Sequence, residues 1–531
     1  MAIGRRTAFA LALVLGVAIG APAAAQAQMV YHRGNTAEPE TLDQHLTSTV
    51  YEAHILRDLY ESLVVHGPEA EILPGAAASW SVSDDGLVYT FEIRDDARWS
   101  NGDDLTARDF VFSYRRILDP ATGAKYANIL YPIKGAEAVN KGEAAPESIG
   151  VRAVDTRTLE ITLEAPMPYF LELLTHQTSL PVHPPSVDEH GMAFARPEHM
   201  VSNGAYTLVE WVPNAHIKLE KNAAFHAADE VAIDEVYYYP TEDRSAALRR
   251  FMAGELHSND DAPVEQMDFM RERLGDQLRI APYLGTYYYA VNMEDEALGD
   301  ARVRRALSVA IDREFLAEEI WGDAMLPAYS FVPPGINNYD EPAYADYRDM
   351  AMFDREDEAM AILAEAGYGP DNPLEVEIRY NTSENHQRTA TAIASMWQPL
   401  GVETTLHNTD TKTHYANLRD RGDFDIARAG WIGDYSDPQN FLFMVESDNV
   451  GFNYARYENS EYDALMDEAK AATDLEARAQ ILHRAEEVFM RDLPFIPLLY
   501  YSSINLVSDE LVGWQDNLQN VHATRWMRIV E

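Results

Sequence analysis

The sequence predicts an α/β or α+β protein of two or three domains, built from packed layers of strands and helices. The 531 residues of the chain exceed the size at which a single hydrophobic core keeps growing. A hydrophobic fraction of 47% and an aromatic fraction of 10% are typical of globular rather than disordered chains. Stretches with strand periodicity interleave with helical stretches, and no fixed-period repeat indicates a solenoid or a propeller.

Two short segments show the alternation of apolar and polar residues that is typical of half-buried strands. Apolar side chains occupy every second position of residues 89–93, and again of residues 159–163. Because successive side chains of a strand point to opposite faces, this period of two predicts one strand with a buried face in each segment.

Two later segments have the end signals of helices. Asp354 is expected to cap a helix that runs through Ala366 with apolar residues at core spacing, and Gly367 follows as the C-terminal cap. Residues 473–476 have the sequence of a capping box, which predicts a helix that begins there and runs to about Arg491.

The first 27 residues are typical of a secretory signal peptide. Arg5 and Arg6 precede an apolar stretch of about 12 residues. Small residues then lead to a cleavage pattern at residues 25–27, with residues 23–25 as a competing site. No later stretch approaches the roughly 20 apolar residues that a membrane-spanning helix needs. We therefore expect the mature protein to be exported and not inserted in a membrane.

The chain has no cysteine. This excludes disulfides, thiolate metal sites, iron–sulfur clusters and cysteine nucleophiles. It also excludes a lipid-modified cysteine at the cleavage site, so we expect a free periplasmic protein without a lipid anchor.

The formal net charge is −45, and it becomes −47 when Arg5 and Arg6 leave with the signal peptide. A surface this acidic repels nucleic acid and anionic lipid, and neither is expected as a partner. Self-repulsion of this size is tolerable where salt screens it, since the Debye length is about 3 Å at 1 M salt. Our hypothesis is that the protein works in a salty habitat.

Residues 424–438 place opposite charges around a tryptophan. A short apolar strand leads into a glycine-interrupted stretch, in which Arg428 and Asp434 stand six positions apart with Trp431 between them. The arrangement suits a zwitterionic ligand that has an amine at one end and a carboxylate at the other. A surface loop with a local ion pair is the alternative interpretation.

Two tyrosine clusters, residues 287–289 and 500–501, allow two interpretations. Tyrosines in strands usually pack half-buried with the hydroxyl at the water. The alternative is that they line a ligand cleft.

No catalytic or metal-binding motif is present. The sequence lacks a phosphate-binding loop, a dinucleotide fingerprint, a nucleophile elbow and a zinc-protease motif. His407 and His414 stand near Asp410, but their spacing is not that of a metal site. We expect no cofactor, no metal and no catalytic residue, although catalytic residues of a hydrolase can converge from distant segments.

Many motifs, in one order along nearly the whole mature chain, resemble those of a single family. They are residues 74–80, 85–86, 89–91, 99–102, 106–113, 119–120, 203–207, 286–289, 303–307, 311–313, 363–368, 380–383 and 424–438. The sequence is similar in these segments to the periplasmic oligopeptide-binding proteins of ABC importers, within bacterial extracellular solute-binding protein family 5.

The resemblance implies an α/β, two-lobed periplasmic binding protein fold (type II, cluster C) with an extra domain on lobe one. Such lobes close around a ligand by a hinge motion. The expected boundaries are 1–27 for the signal peptide, 28–60, 186–285 and 502–531 for lobe one, 61–185 for the extra domain, and 286–501 for lobe two.

The resemblance also implies a function. The protein would capture short peptides in the cleft between its lobes and deliver them to a membrane-embedded permease and its ATPase subunits, as a monomer and not as an enzyme. Other cargo in the same fold (murein tripeptide, a nickel complex or haem) is one alternative. A periplasmic peptidase or a chaperone-like peptide holder is another.

Site residues follow from the resemblance position by position. Asp434 matches an aspartate that pairs with the α-ammonium of the peptide. The other matches are Arg428, Arg419 and His386 for ligand carboxylates, the backbone around Ser48, Val50, Gly430 and Ile432 for strand-like pairing, and Tyr126, Trp431 and Tyr500 for the cleft lining.

Three departures from the family pattern affect the expected ligand. Trp321 occupies the position of a lysine that meets the carboxylates of longer peptides, and Lys412 replaces a cleft tryptophan. Gly285 and Ile432 occupy the positions of two cysteines. The preferred peptide length therefore stays open.

Overall fold

The structure is a computed structural model that describes Met1 and residues 28–47, 49–449 and 451–530, with the side chains of Thr411 and Lys412 excepted. The predicted signal peptide beyond Met1 lies outside the described residues, as does Ser48. Those two expectations therefore stay predictions.

Strands of the described residues run through the whole chain. They are β1 (Val30–Asn35), β2 (Val64–His66), β3 (Ile72–Pro74), β4 (Ala77–Val82), β5 (Val88–Ile93), β6 (Val151–Ala153), β7 (Thr158–Thr162), β8 (Tyr206–Val212), β9 (His216–Lys221), β10 (Glu235–Pro240), β11 (Ser258–Asp260), β12 (Leu278–Val291), β13 (Met325–Pro327), β14 (Leu374–Asn381), β15 (Val402–Thr409), β16 (Ile426–Ile432), β17 (Phe495–Val507), β18 (Leu511–Val512) and β19 (Arg528–Ile529).

Helices alternate with these strands. They are α1 (Val50–Leu59), α2 (Ala107–Leu118), α3 (Ala136–Asn140), α4 (Phe170–Leu173), α5 (Pro184–His190), α6 (Arg244–Met252), α7 (Met267–Leu274), α8 (Ala301–Val309), α9 (Arg313–Phe315), α10 (Met352–Glu365), α11 (Glu384–Trp397), α12 (Thr411–Arg419), α13 (Gln439–Leu442), α14 (Ser460–Ala471) and α15 (Leu475–Asp492). A short π-helix, Leu316–Ile320, follows α9.

One mixed sheet connects two lobes. Its strand order is β15-β14-β16-β12-β17-β11-β1-β10-β9-β8, and β13 also pairs with β17. The first lobe contains the β11-β1-β10-β9-β8 side of this sheet, and the second lobe contains the β15-β14-β16 side. A separate four-stranded sheet, β4-β5-β7-β6, belongs to the first lobe.

The long strands β12 and β17 cross from one lobe to the other. They pair over 278–282 with 502–506 in the first lobe, and over 286–290 with 495–500 in the second. The register shifts between Pro282 and Thr286. This interruption is where the two crossing strands change lobe.

Each lobe has its own hydrophobic core. One cluster of buried side chains extends from Tyr31 through Phe91 to Met527, so the four-stranded sheet shares a continuous core with the rest of the first lobe. In the second lobe, Tyr288 packs on one face of the sheet while Tyr287 packs on the other. This is the opposite-face alternation that a strand requires.

The predicted strands are confirmed as β5 and β7. The predicted helices also form, but each begins at a cap other than the expected one. The N-cap of α10 is Ala351, so the prediction for Asp354 is wrong. Asp354 lies instead in the first turn, where its negative charge interacts favourably with the helix dipole. The N-cap of α15 is Asp474, whose side chain accepts a hydrogen bond from the Ala477 N–H at 2.8 Å.

Candidate functional site

Arg428 on β16 is a buried cation without an acidic partner. Its side chain is only 7% exposed. Nη1 donates to Asn381 Oδ1 at 3.1 Å and to Tyr415 Oη at 3.0 Å, and Nη2 donates to Tyr501 Oη at 3.0 Å. The guanidinium lies 4.6 Å from the ring centroid of Tyr287. Among the described residues no carboxylate forms an ion pair with it, and its Nε has no hydrogen-bond partner.

The surroundings of Arg428 keep this cation charged. Burial acts to lower the pKa of Arg428, but the phenols of Tyr501, Tyr287 and Tyr415 outweigh burial, and the pKa is raised. The hydrogen-bond partners that hold this cation are themselves neutral at pH 7, so its charge is not neutralised within the described residues. An anionic ligand group would neutralise it.

Two histidines beside Arg428 are neutral. His386 is 8% exposed, and its Nδ1 lies 3.2 Å from Tyr287 Oη. His414 is buried, and its Nε2 lies 2.7 Å from the carbonyl oxygen of Arg428. Burial, reinforced by the charge of Arg428, lowers the pKa of His386 to about 3 and that of His414 to about 4. Because both are neutral at pH 7, they add hydrogen-bonding capacity without adding charge.

Asp434 follows directly after β16 and is an acid without a cationic partner. Water reaches its side chain, yet the surrounding protein desolvates the carboxylate enough to raise its pKa. Within the described part of the chain, no hydrogen bond or ion pair to this carboxylate is present. Its charge adds to the effect of burial in raising the pKa of Tyr126 and Tyr283, two tyrosines at the edge of the first lobe.

The segment that carries Asp434 is held firmly. Tyr435 stacks on Tyr169 of the first lobe with ring centroids 5.2 Å apart. Asp437 accepts two hydrogen bonds from Arg478, at 2.7 and 2.8 Å, and both side chains of this ion pair are buried. The position of the Asp434 carboxylate therefore depends on a fixed backbone.

Several predicted site residues lie near this cleft. A side chain at Gly430 would collide with the hydroxyl of Tyr501, so glycine is required there. Ile432 is 39% exposed and Val50, the first residue of α1, is 60% exposed. Tyr126 stacks on His176 at a centroid distance of 5.5 Å. Backbone pairing of a ligand at these residues stays a prediction.

Two residues predicted to line the cleft, Trp431 and Tyr500, form hydrogen bonds within the second lobe, and their contact with a ligand stays a prediction. The indole of Trp431 donates to Asn440 Oδ1 at 2.9 Å and packs against Phe443 and Phe452. Tyr500 is 4% exposed, and its hydroxyl lies 2.6 Å from Ser330 Oγ inside the second lobe. Side chains alternate along β17, so Tyr501 rather than Tyr500 faces Arg428.

Arg419 ends α12 and is exposed to solvent. Its charge reaches Tyr454, where it acts to lower the phenol pKa against the larger effect of burial. No contact between Arg419 and the Arg428 group is present among the described residues. Its role toward ligand carboxylates stays a prediction.

The departures from the family pattern have structural explanations. Trp321 Nε1 donates to Thr389 Oγ1 at 3.0 Å, and its ring lies 5.7 Å from that of Tyr287. Gly285 and Ile432 are direct cross-strand partners of β12 and β16, and the Ile432 side chain occupies the space beside Gly285. The side chain of Lys412 lies outside what the structure describes.

The sequence did not identify the residues that contact the Arg428 guanidinium, namely Asn381, Tyr415, Tyr501 and Tyr287. The tyrosine clusters at 287–289 and 500–501 were visible in the sequence, but their orientation was not. The alternation that places Tyr287 and Tyr501 on one face depends on a register shift in the β12–β17 pair.

Two lobes joined by crossing strands, with Asp434 and Arg428 each lacking an oppositely charged partner among the described residues, are the architecture of a two-lobed solute-binding protein. Residues 71–453 match the family model described as bacterial extracellular solute-binding proteins, family 5 Middle. The chain belongs to this family.

Relatives support the same assignment over the full length. The chain is 36% identical over 527 residues to the periplasmic oligopeptide-binding protein OppA of Escherichia coli (strain K12), covering 98% of this chain and 96% of that protein.

In the described residues, no helix has the length and apolarity to cross a membrane, and no group of metal-ligand side chains is assembled.

Comparison with two structures of one relative defines the arrangement of the lobes. The unliganded open form of the murein tripeptide-binding protein MppA aligns with a TM-score of 0.90 at 35% identity, covering 95% of this chain and 98% of that chain. Another structure of Escherichia coli MppA, also at 35% identity, covers 95% and 99% but gives a TM-score of 0.72. At equal sequence identity, this chain is therefore more similar in structure to the form described as unliganded and open than to the second structure.

Proposed function

We propose that this protein is the periplasmic substrate-binding component of an ABC importer, which captures short peptides with free termini between its lobes. The observation that carries the proposal is a pair of charges without oppositely charged partners among the described residues. Arg428 is the third residue of β16, and Asp434 stands two residues after the end of that strand. Asp434 receives the α-ammonium of the peptide, and Arg428, with neutral His386 beside it, receives a carboxylate.

The spacing of the two charges limits the ligand length. Six residues of extended chain span at most about 20 Å, and an extended peptide advances by about the same 3.3 Å per residue. A peptide lying along β16 between Asp434 and Arg428 therefore has fewer than about six residues, since both side chains reach toward it. Main-chain pairing along the strand tolerates different side chains, which suits a general peptide importer.

Closure of the lobes supplies the affinity in this proposal. In the open arrangement water reaches Asp434, whereas a closed cleft excludes water and strengthens each charge pair. Delivery to a permease and its ATPase subunits follows from the importer assignment. The protein acts as a monomer, free in the periplasm after signal-peptide cleavage, and catalyses no reaction on its ligand.

The first test identifies the natural ligand. Native mass spectrometry of protein purified without denaturation, followed by denaturing release, is expected to give masses of peptides shorter than about six residues. A single non-peptide mass, such as a metal chelate or haem, would keep the fold and overturn the substrate. Incubation with mixed peptides should produce no new cleavage products.

The second test addresses the amine anchor. By calorimetric titration, Asp434→Asn is expected to weaken binding of a free tripeptide by about 2–5 kcal/mol, which is roughly 30- to several thousand-fold. N-acetylation of the peptide should cause a similar loss, and the two losses together should not add. Asp420→Asn, which removes an exposed acid of the same lobe, is the control. Equal affinity for the acetylated and free peptides would contradict the assignment.

A further inference from the structure

A small cavity lies inside the first lobe. Its volume is about 40 Å³, and α1, β2, the 175–180 segment and the C-terminal 521–525 segment enclose it. A volume of this size accommodates a few water molecules or one carboxylate group. The cavity is therefore large enough for the end of a ligand side chain and too small for a whole residue.

Three side chains in the cavity wall, those of Arg57, His66 and Tyr60, each have a buried polar atom without a hydrogen-bond partner. Arg57 of α1 has a fully buried Nε without a hydrogen bond, and His66 of β2, which is 6% exposed, has a buried Nε2 without one. Unpartnered buried donors of this kind are rare, because each costs about 1–3 kcal/mol, and more when charged. Their presence side by side indicates a site that a ligand completes.

The cavity is positively charged in a strongly acidic protein. The described residues provide no carboxylate that pairs with Arg57. The one acid in the wall, Glu61, is already bound, since it accepts hydrogen bonds from Arg525 at 2.6 Å and lies 2.9 Å from His226 Nε2. Burial lowers the pKa of Arg57 to about 10 and that of His66 to about 3, so at pH 7 the arginine is charged and the histidine is neutral.

The cavity wall is linked through His176 to Tyr126, a residue expected in the cleft lining. Thr175 is part of its wall, and the next residue, His176, stacks on Tyr126, whose phenol feels the charge of Asp434. Both charges act on Tyr283, since Arg57 lowers its phenol pKa and Asp434 raises it, against a larger rise from burial. A side chain from the start of a bound peptide would reach the cavity from this side.

We propose that this cavity is a side-chain pocket for a carboxylate carried by the first or second residue of the bound peptide, with Arg57 as its counter-ion and His66 Nε2 as a further hydrogen-bonding atom. The proposal rests on the proposed peptide-binding function. It adds a preference for an Asp or Glu side chain near the amino terminus, which the main-chain contacts along β16 do not supply.

The test compares matched peptides by calorimetric titration. Glu-Ala-Ala is compared with Gln-Ala-Ala, and Ala-Glu-Ala with Ala-Gln-Ala. We expect the Glu form to bind at least about tenfold more tightly than its Gln partner at one of the two positions, which corresponds to about 1.4 kcal/mol. In Arg57→Gln the two forms should bind within threefold of each other, while affinity for the Gln peptide stays near the wild-type value.

Control variants separate the pocket from general charge effects and from the proposed function. Arg244→Gln removes an equal charge from an exposed ion pair of the first lobe and should keep the Glu preference. If Arg57→Gln fails to fold by circular dichroism, Arg57→Lys replaces it and should reduce the preference. No preference at either position, a preference that survives in the Arg57 variant, or acetate binding in the cavity without a preference would overturn the pocket. Loss of all peptide binding in the wild type would instead overturn the proposed function.

Discussion

At the scale of single residues, two buried arginines of the second lobe differ in the partners that bind their guanidinium groups. Arg478 is 2% exposed and forms a two-bonded ion pair with Asp437. Arg428 is almost as buried, but its partners are phenols and an amide. The first is a closed structural pair, whereas the second has no carboxylate partner among the described residues, which agrees with the ligand-binding role proposed for it.

This contrast predicts effects of different size on stability. In Arg428→Leu the free energy of unfolding of the ligand-free protein should fall by no more than about 2 kcal/mol, because only hydrogen bonds to neutral partners are lost and no buried charge is left unpaired. Arg478→Leu should lower it by about 3–5 kcal/mol, since Asp437 is left buried and unpaired. Urea denaturation of both variants measures the difference.

Peptide binding provides the complementary measurement for the same pair. Arg428→Leu should weaken binding of a tripeptide with a free carboxylate by about 2–5 kcal/mol. A stability loss above about 2 kcal/mol in Arg428→Leu, which is more than its hydrogen bonds account for, would contradict the functional reading of this residue.

The charged residues of the cleft were partly predictable from sequence. Arg428 and Asp434 share one local segment, so their spacing was readable. The role proposed for Arg57 could not be predicted from sequence. An arginine is common in the last turn of a helix, where its positive charge interacts favourably with the helix dipole. Its missing partner appears only when α1, β2 and the C-terminal segment come together.

At the scale of elements, the β12–β16 pair is packed around a missing side chain. An added Cβ at Gly285 would lie 2.5 Å from Ile432 Cδ1 and 2.8 Å from the carbonyl oxygen of Trp431. The isoleucine can shift, but the carbonyl belongs to the ladder between the strands. The pair therefore depends on glycine at this position for close approach and not for an unusual backbone angle.

Gly285→Ala should lower the free energy of unfolding by about 1–3 kcal/mol through overpacking. Gly285→Ala combined with Ile432→Ala should recover part of the loss, because one of three collisions is removed and those with the Trp431 carbonyl oxygen and Tyr501 Cδ2 remain. Gly369→Ala is the matched control, since a Cβ there meets no atom within 4 Å. Guanidinium denaturation checks the series, and a Gly285→Ala protein as stable as the control would show that the strands separate easily.

Elements were more predictable than their ends. Alternation identified β5 and β7, and core spacing identified α10 and α15. The cap predictions were wrong for different reasons, because α10 begins after Ala351, which is no capping residue, whereas α15 has two candidates side by side. Thr473 and Asp474 are both good N-caps, and tertiary packing rather than local sequence decides that Asp474 takes the role.

At the scale of the whole molecule, the excess of acidic residues acts on stability. A net charge of −45 opposes the compact state through self-repulsion, and exposed carboxylates are screened over about 10 Å at 0.1 M salt but over about 3 Å at 1 M. The thermal midpoint should therefore rise by several degrees between dilute buffer and molar sodium chloride. Differential scanning calorimetry measures this shift.

Sucrose at equal osmolality is the control for this salt series, because it acts by exclusion from the surface rather than by screening. A midpoint that is equal in dilute buffer and in molar salt would show that the hypothesis of a salty habitat is wrong. A shift of the thermal midpoint that sucrose reproduces in full would also contradict this hypothesis, because sucrose does not screen charge.

The overall plan was predictable only through the family motifs. Length and composition indicated several domains, but nothing in the local sequence of β12 or β17 shows that these strands serve two lobes. The register shift between Pro282 and Thr286 depends on which partner residues meet. That information is tertiary.

The path of β17 has a consequence for the order in which the protein can be completed. Residues 502–507 fill the place between β11 and β12 in the first lobe. The following segment adds buried bonds there, with Asp58 accepting from the Thr524 N–H at 2.9 Å and Arg33 donating to the His522 carbonyl at 2.7 Å. During synthesis, residues 286–501 of the second lobe are made before residues 502–507 and the segment that follows them. The lobe that begins first in synthesis is therefore the last to be finished, and the nascent chain stays incompletely folded until its final residues emerge.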